Sequence, residues 1–332
     1  MKNYLLFGIL ALGAISCNAN KNQTEQIAET DAETTDAATV YFTDQITPEA
    51  LVKIYEALGV PPTGKVAVKI STGESEKSNH LSPELIKDLV QSVDGTLVEC
   101  NTLYEGNRGN SEAHRKAIAQ RGYDKIAPVD IMDEEGEIAI EVNDSTWIHY
   151  DLVGSHLPNY DYMINLAHFK GHQMGGFGGV LKNASIGVAS SSGKAYIHTS
   201  GNSTSGWNNP AGQDAFLESM ASAAQAVHNY FKQPGKDIVY INVMNNMSVD
   251  CDCNGNPAHP QIADIGILAS TDPVALDRAS LDLVINHKST GEGDDNKPLI
   301  ERINSLHGEH IVEHAEKIGL GTTKYNLVNI DQ

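Results

Sequence analysis

The sequence is poor in cysteine, in basic residues and in long apolar runs. Its 4 cysteines are too few for a disulfide scaffold, and the three beyond the N-terminal region are too few for a four-cysteine iron–sulfur cluster. Acidic residues number 43 against 23 lysines and arginines, and the net charge of −20 argues against a nucleic-acid partner. Beyond the N-terminus, no apolar run approaches the roughly 20 residues of a membrane-spanning helix. No feature of the sequence indicates a protein partner.

One short apolar run stands at the N-terminus. Lys2 is followed by the almost wholly apolar residues 4–15, about the length of the apolar part of a signal peptide. The run ends at Ser16-Cys17, which resembles a bacterial lipobox, where the cysteine receives acyl chains such as palmitate and becomes the first residue. We therefore predict a signal peptide over residues 1–16, a lipid anchor on Cys17, and a location in the cell envelope on its periplasmic or surface face. An ordinary secretory signal is the alternative.

The next segment, residues 17–43, is polar and acidic and shows no apolar period. Such a composition cannot bury enough apolar surface to fold, so we predict a flexible tether. The remaining residues, 44–332, are enough for one large or two medium domains, and we place a possible lobe boundary near residue 160.

Predicted strands and helices alternate through this region. Thr47-Pro48-Glu49 is typical of a helix start, with Thr47 as the cap and Pro48 in the first turn of a helix that ends near residue 58. Residues 65–70 (KVAVKI) alternate like a strand. The succession predicts an α/β fold class with a mainly parallel sheet flanked by helices, in two lobes with a cleft. The other predicted helices are 83–93, 111–120, 213–231 and 273–285, and the other predicted strands are 96–99, 129–132, 137–142, 162–166, 237–243 and 265–269.

Residues suited to chemistry concentrate between His168 and His198, after the predicted strand 162–166. This segment holds three histidines, three lysines and seven glycines. Clustered glycines let backbone N–H groups approach a ligand, lysines supply charge or a nucleophile, and histidines bind metals or transfer protons. A merely flexible loop is the alternative. We assign Gly175, Gly176, Gly178, Gly179 and Lys170 to cofactor binding, His168 to metal binding and Lys194 to the substrate. A resemblance described below adds Lys182 to cofactor binding and catalysis, His172 to catalysis and His198 to metal binding.

Two further groups of residues are candidates. Cys251 and Cys253, one residue apart, can ligate a borderline metal together with His259 or His172. A labile disulfide or ordinary loop thiols are the alternatives. Arg108 follows the predicted strand 96–99 and can bind a substrate carboxylate with its guanidinium fork.

Two aspartates near residue 275 have predicted structural roles. We expect Asp272 to cap the helix that starts at Pro273. We expect Asp277, on that helix, to support a histidine of the site from behind.

Residues 60–290 resemble the family called domain of unknown function 362. The resemblance rests on four segments of this sequence, which are CNTLYEGNR (100–108), HFKGHQMGGFGGVLKN (168–183), CDC (251–253) and DIGILASTDPVALD (264–277). Members of that family are often labelled iron–sulfur centre proteins, and many carry an added ferredoxin-like segment with clustered cysteines. This sequence has no such segment.

The order of His172, Lys182 and His198 is similar to that in the nickel-pincer lactate racemases. The resemblance implies that Lys182 holds a nicotinate-derived cofactor covalently, that His198 ligates nickel, and that His172 is an acid/base. His114, which precedes Arg115, is the implied counterpart of a second proton-transfer histidine.

Together these features predict a membrane-tethered lipoprotein with a metal-dependent site. We expect an enzyme of racemase or epimerase type that acts on a small anionic molecule such as a hydroxy acid or a sugar acid. The metal is nickel, zinc or iron, and the second resemblance implies a nickel-pincer nucleotide. One alternative is a redox protein with an iron–sulfur-type centre at Cys251 and Cys253. The other is a solute- or metal-binding lipoprotein without catalysis.

Overall fold

The structure is a computed structural model that describes residues 37–332. The predicted signal peptide, the lipid anchor on Cys17 and most of the predicted tether lie outside these residues. Within them, the strands are β1 (Ala38–Thr43), β2 (Val66–Lys69), β3 (Thr96–Glu99), β4 (Val129–Ile131), β5 (Glu137–Glu141), β6 (Tyr150–Gly154), β7 (Tyr162–His168), β8 (Lys170–His172), β9 (Gly176–Gly178), β10 (Asp237–Met244), β11 (Gly266–Ser270) and β12 (Tyr325–Asn329).

The helices start where the sequence offers capping residues. The side chains of Thr47, Ser82, Asn110 and Asp272 each accept a hydrogen bond from a backbone N–H of the first turn. The helices are α1 (Pro48–Ala57), α2 (Pro83–Ser92), α3 (Ser111–Arg121), α4 (Val180–Ala184), α5 (Ser191–His198), α6 (Gln213–Phe231), α7 (Pro273–Ile285), α8 (Lys297–Ser305) and α9 (His310–Lys317), with 3₁₀ turns at Tyr123–Lys125 and Leu157–Asn159.

Eight strands form one central sheet in the order β12-β1-β11-β10-β7-β2-β3-β4. Only β11 runs antiparallel to its two neighbours, and the other adjacent pairs are parallel. Two small antiparallel pairs, β5-β6 and β8-β9, lie outside this sheet. The predicted α/β class with a mainly parallel sheet is confirmed.

Both faces of the sheet are covered, as expected for parallel strands. Along β7, Met163 and Ala167 belong to one hydrophobic core, which includes residues of α6, α7 and α9. Tyr162, Ile164 and Leu166 face the other core, beside residues of α1 and α2. Among the described residues, no helix is long and apolar enough to cross a membrane.

Two boundary predictions need correction. Residues 38–43 were predicted as the end of the tether, but they form β1, which pairs with both β11 and β12 and buries Val40 completely. The described residues form one compact unit, so the boundary predicted near residue 160 does not divide the fold into two lobes. It falls just before β7, which lies inside the central sheet between β10 and β2.

Candidate active site

A cavity of about 270 Å³ opens at one edge of the central sheet. The parallel strands β2, β3 and β7 end there, at Lys69, Glu99 and His168. This is the edge at which open α/β sheets bind ligands, because loops leaving neighbouring strands diverge there. The hairpin β8-β9, the helices α4 and α5, and the loop after β10 complete the wall. The polar side chains that line the cavity are those of Lys69, Ser71, Glu99, Thr102, Tyr104, Arg108, His168, Lys170, His172, Gln173, Lys182, Asn183, Lys194, His198 and Asp252.

The glycine-rich segment folds into β8, a tight turn, β9 and the start of α4. Of its predicted cofactor-binding glycines, Gly178 and Gly179 line the cavity. Gly175 and Gly176 do not, which corrects their predicted role. Gly176 adopts a φ of +80°, and a side chain there would lie 2.8 Å from the Cα of Gly308. Gly176 is therefore required by the turn and by close packing rather than by a ligand.

Asp277 anchors the beginning of α4 from α7. Its fully buried carboxylate accepts hydrogen bonds from the backbone N–H groups of Val180 (2.9 Å) and Leu181 (3.0 Å) and from the amide of Asn242 (2.8 Å). Burial raises the pKa of Asp277 to about 6. A side chain at Gly179 would lie 2.2 Å from this carboxylate. Asp277 was predicted to support a histidine, but it supports the backbone that carries Lys182.

Lys182 is the least constrained cation of the cavity. Its ammonium group has no hydrogen-bond or ion-pair partner among residues 37–332, and its alkyl chain lies against Gly178. Burial, assisted by the nearby charge of Lys170, lowers the pKa of Lys182 to about 7. A large fraction of this amine is therefore neutral and nucleophilic at neutral pH.

His172 and His198 line the same cavity as Lys182, and their Nε2 atoms are left in different protonation states. The Nδ1 of His172 accepts the backbone N–H of Gly175 at 2.8 Å, so the neutral ring carries its proton on Nε2. The Nδ1 of His198 lies 2.6 Å from the carbonyl oxygen of Lys194 and donates to it, which leaves a lone pair on Nε2. Burial lowers the pKa of both rings, that of His198 to about 4, so both are neutral near pH 7.

The cavity carries more positive than negative side chains. Its two carboxylates are already occupied, because Glu99 pairs with Arg108 at 2.5 Å and Asp252 pairs with Lys170 at 2.8 Å. Lys69 and Lys194 donate to backbone carbonyls, both at 2.6 Å, and Lys182 has no partner in the part of the chain that the structure describes. Burial lowers the pKa of Lys69 to about 8. A net excess of cations in a strongly acidic protein favours an anionic ligand.

Asp252 connects the cysteine loop to β8. Its buried carboxylate contacts Nδ1 of His168 at 2.9 Å and the ammonium of Lys170 at 2.8 Å. Burial alone would raise the pKa of Asp252, but Lys170 and His168 outweigh it and hold that pKa well below the usual range. His168 also bonds the carbonyl oxygen of Asn245 through Nε2 at 2.6 Å. Both its ring nitrogens are engaged, so His168 orients Asp252 and does not fit its predicted role as a metal ligand.

Cys251 and Cys253 are joined by a disulfide at the cavity wall. Their sulfurs and a ring nitrogen of His172 lie within 4.8 Å of one another, and this group can hold a metal ion once the disulfide is reduced. Of the two histidines predicted to complete the site, the structure therefore brings His172 to the cysteines. His259 is exposed and lies outside this group.

Arg108 lines the cavity, but its guanidinium is committed to protein carboxylates. It contacts Glu99 at 2.5 Å and Glu74 at 3.4 Å. His114 lies behind Glu99, 3.1 Å from its Oε2, is fully buried, and does not line the cavity. His114 thus belongs to a buried charge network around Glu99 and not to the cavity, whereas Arg108 lines the cavity and its contact with a substrate stays a prediction.

Three charged residues of the site escaped the sequence analysis, which are Lys69, Glu99 and Asp252. Lys69 and Glu99 are the last residues of β2 and β3, and a charged residue that closes an apolar strand was an available signal. Asp252 stood between the two cysteines, but nothing local indicated its pairing with Lys170.

Two solved structures resemble this fold at low sequence identity. No curated protein matches the chain. One similar solved structure is that of the lactate racemase apoprotein from Thermoanaerobacterium thermosaccharolyticum, with 14% identity, a TM-score of 0.42, and coverage of 74% of this chain and 56% of that chain. Another is a protein from Thermotoga maritima, with 12% identity, a TM-score of 0.43, and coverage of 71% and 56%. The chain spans little more than half the length of these proteins, and a likeness this low says nothing about function.

The family match covers most of the fold just described. The family whose description is domain of unknown function (DUF362) matches residues 66–282, which run from β2 into α7 and include every residue that lines the cavity. The chain therefore belongs to the DUF362 family.

Proposed function

We propose that the cavity binds a small anionic molecule and that the protein acts on it as a metal-dependent enzyme of racemase or epimerase type. Hydroxy acids and sugar acids are the substrate class. The observation that carries the proposal is the amine of Lys182, which has no partner among residues 37–332 and a pKa of about 7, in one cavity with the neutral His172 and His198.

The substrate class follows from charge and size. A volume of about 270 Å³ suits a small molecule. Lys69, Lys182 and Lys194 surround it without carboxylate partners, so a substrate carboxylate would supply the missing negative charge. The hydroxyl groups of Ser71 and Thr102 line the same wall and can bond substrate hydroxyls.

The reaction type follows from the two histidines. Inversion at a carbon requires one group that accepts hydrogen and another that returns it. His198 offers a lone pair and His172 offers an N–H, and both rings are held in these states by backbone groups. Lys182, neutral in part at pH 7, is a third group able to accept a proton or to form a covalent bond.

A metal and a covalent cofactor fit only some of these residues. His198 fits a metal ligand, because its Nδ1–H is fixed by a carbonyl and its Nε2 is left unprotonated; with a metal bound there, the partly neutral amine of Lys182 would take its place as the proton acceptor opposite His172. The thiolates of Cys251 and Cys253 become available only after the disulfide is reduced. The free amine of Lys182 fits the attachment of a nicotinate-derived cofactor. A metal here would polarise an oxygen of the substrate.

The proposal predicts an unusually reactive lysine. Only a neutral amine reacts with trinitrobenzenesulfonate, and at pH 7 the neutral fraction at Lys182 should be about 10³-fold that of an ordinary lysine. The labelling rate followed by mass spectrometry should rise with pH to a midpoint near 7, and a hydroxy or sugar acid that binds should slow it. Lys182→Ala should abolish this fast phase and, in protein from its native envelope, the interconversion of hydroxy-acid enantiomers followed by chiral chromatography.

The exposed Lys87 on α2 provides the matched control, and Lys87→Ala should leave the fast phase unchanged. A fast phase that survives in Lys182→Ala would refute the role of Lys182. Protection by an acid without any interconversion would instead favour the alternative of a solute-binding lipoprotein.

The disulfide favours one further candidate, a redox protein. Cys251 and Cys253 lie at the cavity wall, where a bound molecule can reach them. Absorbance separates this candidate from the first, because an iron–thiolate centre absorbs in the visible range and a zinc site does not.

We also propose that the protein is a lipoprotein of the cell envelope, anchored through Cys17. The apolar run ending at Ser16-Cys17 supports this. Cys17→Ala should move the protein from the membrane fraction to the soluble fraction, or leave it unprocessed, as read by fractionation and intact mass. If retention and mature mass both stay unchanged, Cys17 carries no lipid.

A further inference from the structure

A second cluster of histidines and carboxylates lies outside the cavity, where α9 packs against α6. His310 and His314 are four residues apart on α9 and so share one face of the helix. Glu218 projects from α6, and Asp144 lies in the connection between β5 and β6. None of these four residues lines the cavity.

The ligand atoms of this cluster converge on one point. Oε1 of Glu218 lies 3.0 Å from Nε2 of His310 and 3.4 Å from Nδ1 of His314. The three groups offer ligand atoms that all lie within 4.8 Å of one another. One carboxylate oxygen thus faces nitrogens of two imidazoles, which is a donor set that zinc and related divalent ions prefer.

The hydrogen bonds of His314 leave one nitrogen unsatisfied. His314 is only 4% exposed, and its Nε2 lies 2.9 Å from the carboxylate of Asp144, to which it donates. In the neutral ring, Nδ1 then carries a lone pair, and this atom is buried without a hydrogen-bond partner. It faces Oε1 of Glu218, which also offers only lone pairs. A cation bound there would satisfy this nitrogen and would replace the contact that Oε1 makes with Nε2 of His310 at 3.0 Å.

We propose that Glu218, His310 and His314 bind one divalent first-row transition-metal ion of the zinc type. Asp144 accepts a hydrogen bond from the far nitrogen of His314, and Glu313 lies 3.6 Å from Nδ1 of His310. Metal-binding histidines are commonly held by carboxylates in this way. Three protein ligands leave a fourth position for water.

Such an ion would link α9, near the C-terminus, to α6. α9 is followed by β12, which forms the edge of the sheet beside β1. Ion binding should therefore protect this part of the chain more than it protects the rest, because the ion binds the folded arrangement of α6 and α9 and not the unfolded chain.

Cobalt(II) is the probe that distinguishes this site from the cysteines of the cavity. Protein stripped with a chelator should bind at this site one equivalent of cobalt(II) that is lost in Glu218→Gln and kept in His198→Gln, with visible ligand-field bands of a nitrogen–oxygen site and no thiolate charge-transfer band. The same spectrum should persist in the Cys251→Ser/Cys253→Ser double variant. Zinc should displace cobalt and slow amide hydrogen exchange in α9 and β12.

Two variants test the ligands without removing an apolar side chain from the hydrophobic core. Glu218→Gln removes the charge but keeps an acceptor for the indole of Trp147, and His310→Gln changes a partly exposed ligand. Each should weaken cobalt binding at least tenfold, and Asp144→Asn should weaken it about 10–100-fold. His287→Gln, in a histidine–carboxylate pair outside the cluster, should have no effect.

Two results would overturn the proposal. One is the absence of the nitrogen–oxygen cobalt spectrum from the stripped protein. The other is unchanged binding in both Glu218→Gln and His310→Gln. In either case the cluster would hold only ion pairs between its histidines and its carboxylates.

Discussion

Replacing Glu99 by glutamine should destabilise the folded protein by about 3–5 kcal/mol, the range found when one partner of a buried ion pair is removed. Glu99 is 4% exposed and lies at the centre of a network. Its carboxylate contacts Arg108 at 2.5 Å and His114 at 3.1 Å, and it accepts hydrogen bonds from the backbone and hydroxyl of Thr72. Glutamine would leave the buried guanidinium of Arg108 with one carboxylate, that of Glu74 at 3.4 Å, beside the hydroxyls of Ser71 and Tyr104.

Urea unfolding at pH 7 measures this loss. Glu134→Gln is the control, because Glu134 pairs with Arg115 on the surface, where such pairs contribute less than about 1 kcal/mol. If the free energy of unfolding falls by the same small amount in both variants, the network around Glu99 is not a major source of stability.

The same network should make stability depend on pH. Burial alone would raise the pKa of Glu99, but Arg108, His114 and Lys69 outweigh it and hold this pKa well below the ordinary value of 4.5. The unfolded chain therefore takes up the proton first as the pH falls. The advantage of the native protein over Glu99→Gln should be complete above pH 4.5 and should shrink as the pH falls through the depressed pKa.

Replacing Asp277 by alanine should cost more than about 3 kcal/mol and should also disable the candidate active site. The change leaves the N–H groups of Val180 and Leu181 and the amide of Asn242 without their acceptor, at about 1–3 kcal/mol for each buried group left unpaired. The start of α4 would then lose its anchor. Lys182 follows two residues later, so its fast labelling near pH 7 should disappear as well.

Asp272→Ala is the matched control for this prediction. Asp272 begins the same helix, α7, and caps the N–H groups of Val274 and Ala275. Loss of such a cap costs about 1 kcal/mol, and the labelling of Lys182 should not change. Equal losses in the two variants, or normal Lys182 labelling in Asp277→Ala, would show that Asp277 does not position the site.

A third variant separates the hydrogen bonds of Asp277 from its charge. Burial raises the pKa of Asp277 to about 6, from 3.8 for an unperturbed aspartate. The part of its contribution to stability that is linked to this proton is therefore complete below pH 3.8 and is lost as the pH rises through 6. Asp277→Asn has no such charge. The difference in free energy of unfolding between this variant and the native protein should therefore decrease as the pH rises from 3.8 to 6.

Local features of the sequence were enough to predict the fold class. The caps at Thr47 and Asp272 and the alternation of residues 65–70 are short-range signals, and the structure has α1, α7 and β2 at these places. The sequence also indicated where the site lies, because the lysines and histidines of residues 168–198 follow a strand that is buried throughout. The strand β1 was missed because its polar and acidic surroundings suggested a tether.

The sequence alone determined the five longest helices, six of the eight strands of the central sheet and the segment that carries the chemistry, because capping and periodicity act over a few residues. Only the tertiary structure decided which charges are neutralised, since that depends on side chains far apart in the chain. Lys170 meets Asp252, and Arg108 meets Glu99, which leaves Lys182 without a partner among the described residues. Burial then lowers the pKa of that amine to about 7, an effect that no local pattern of residues contains.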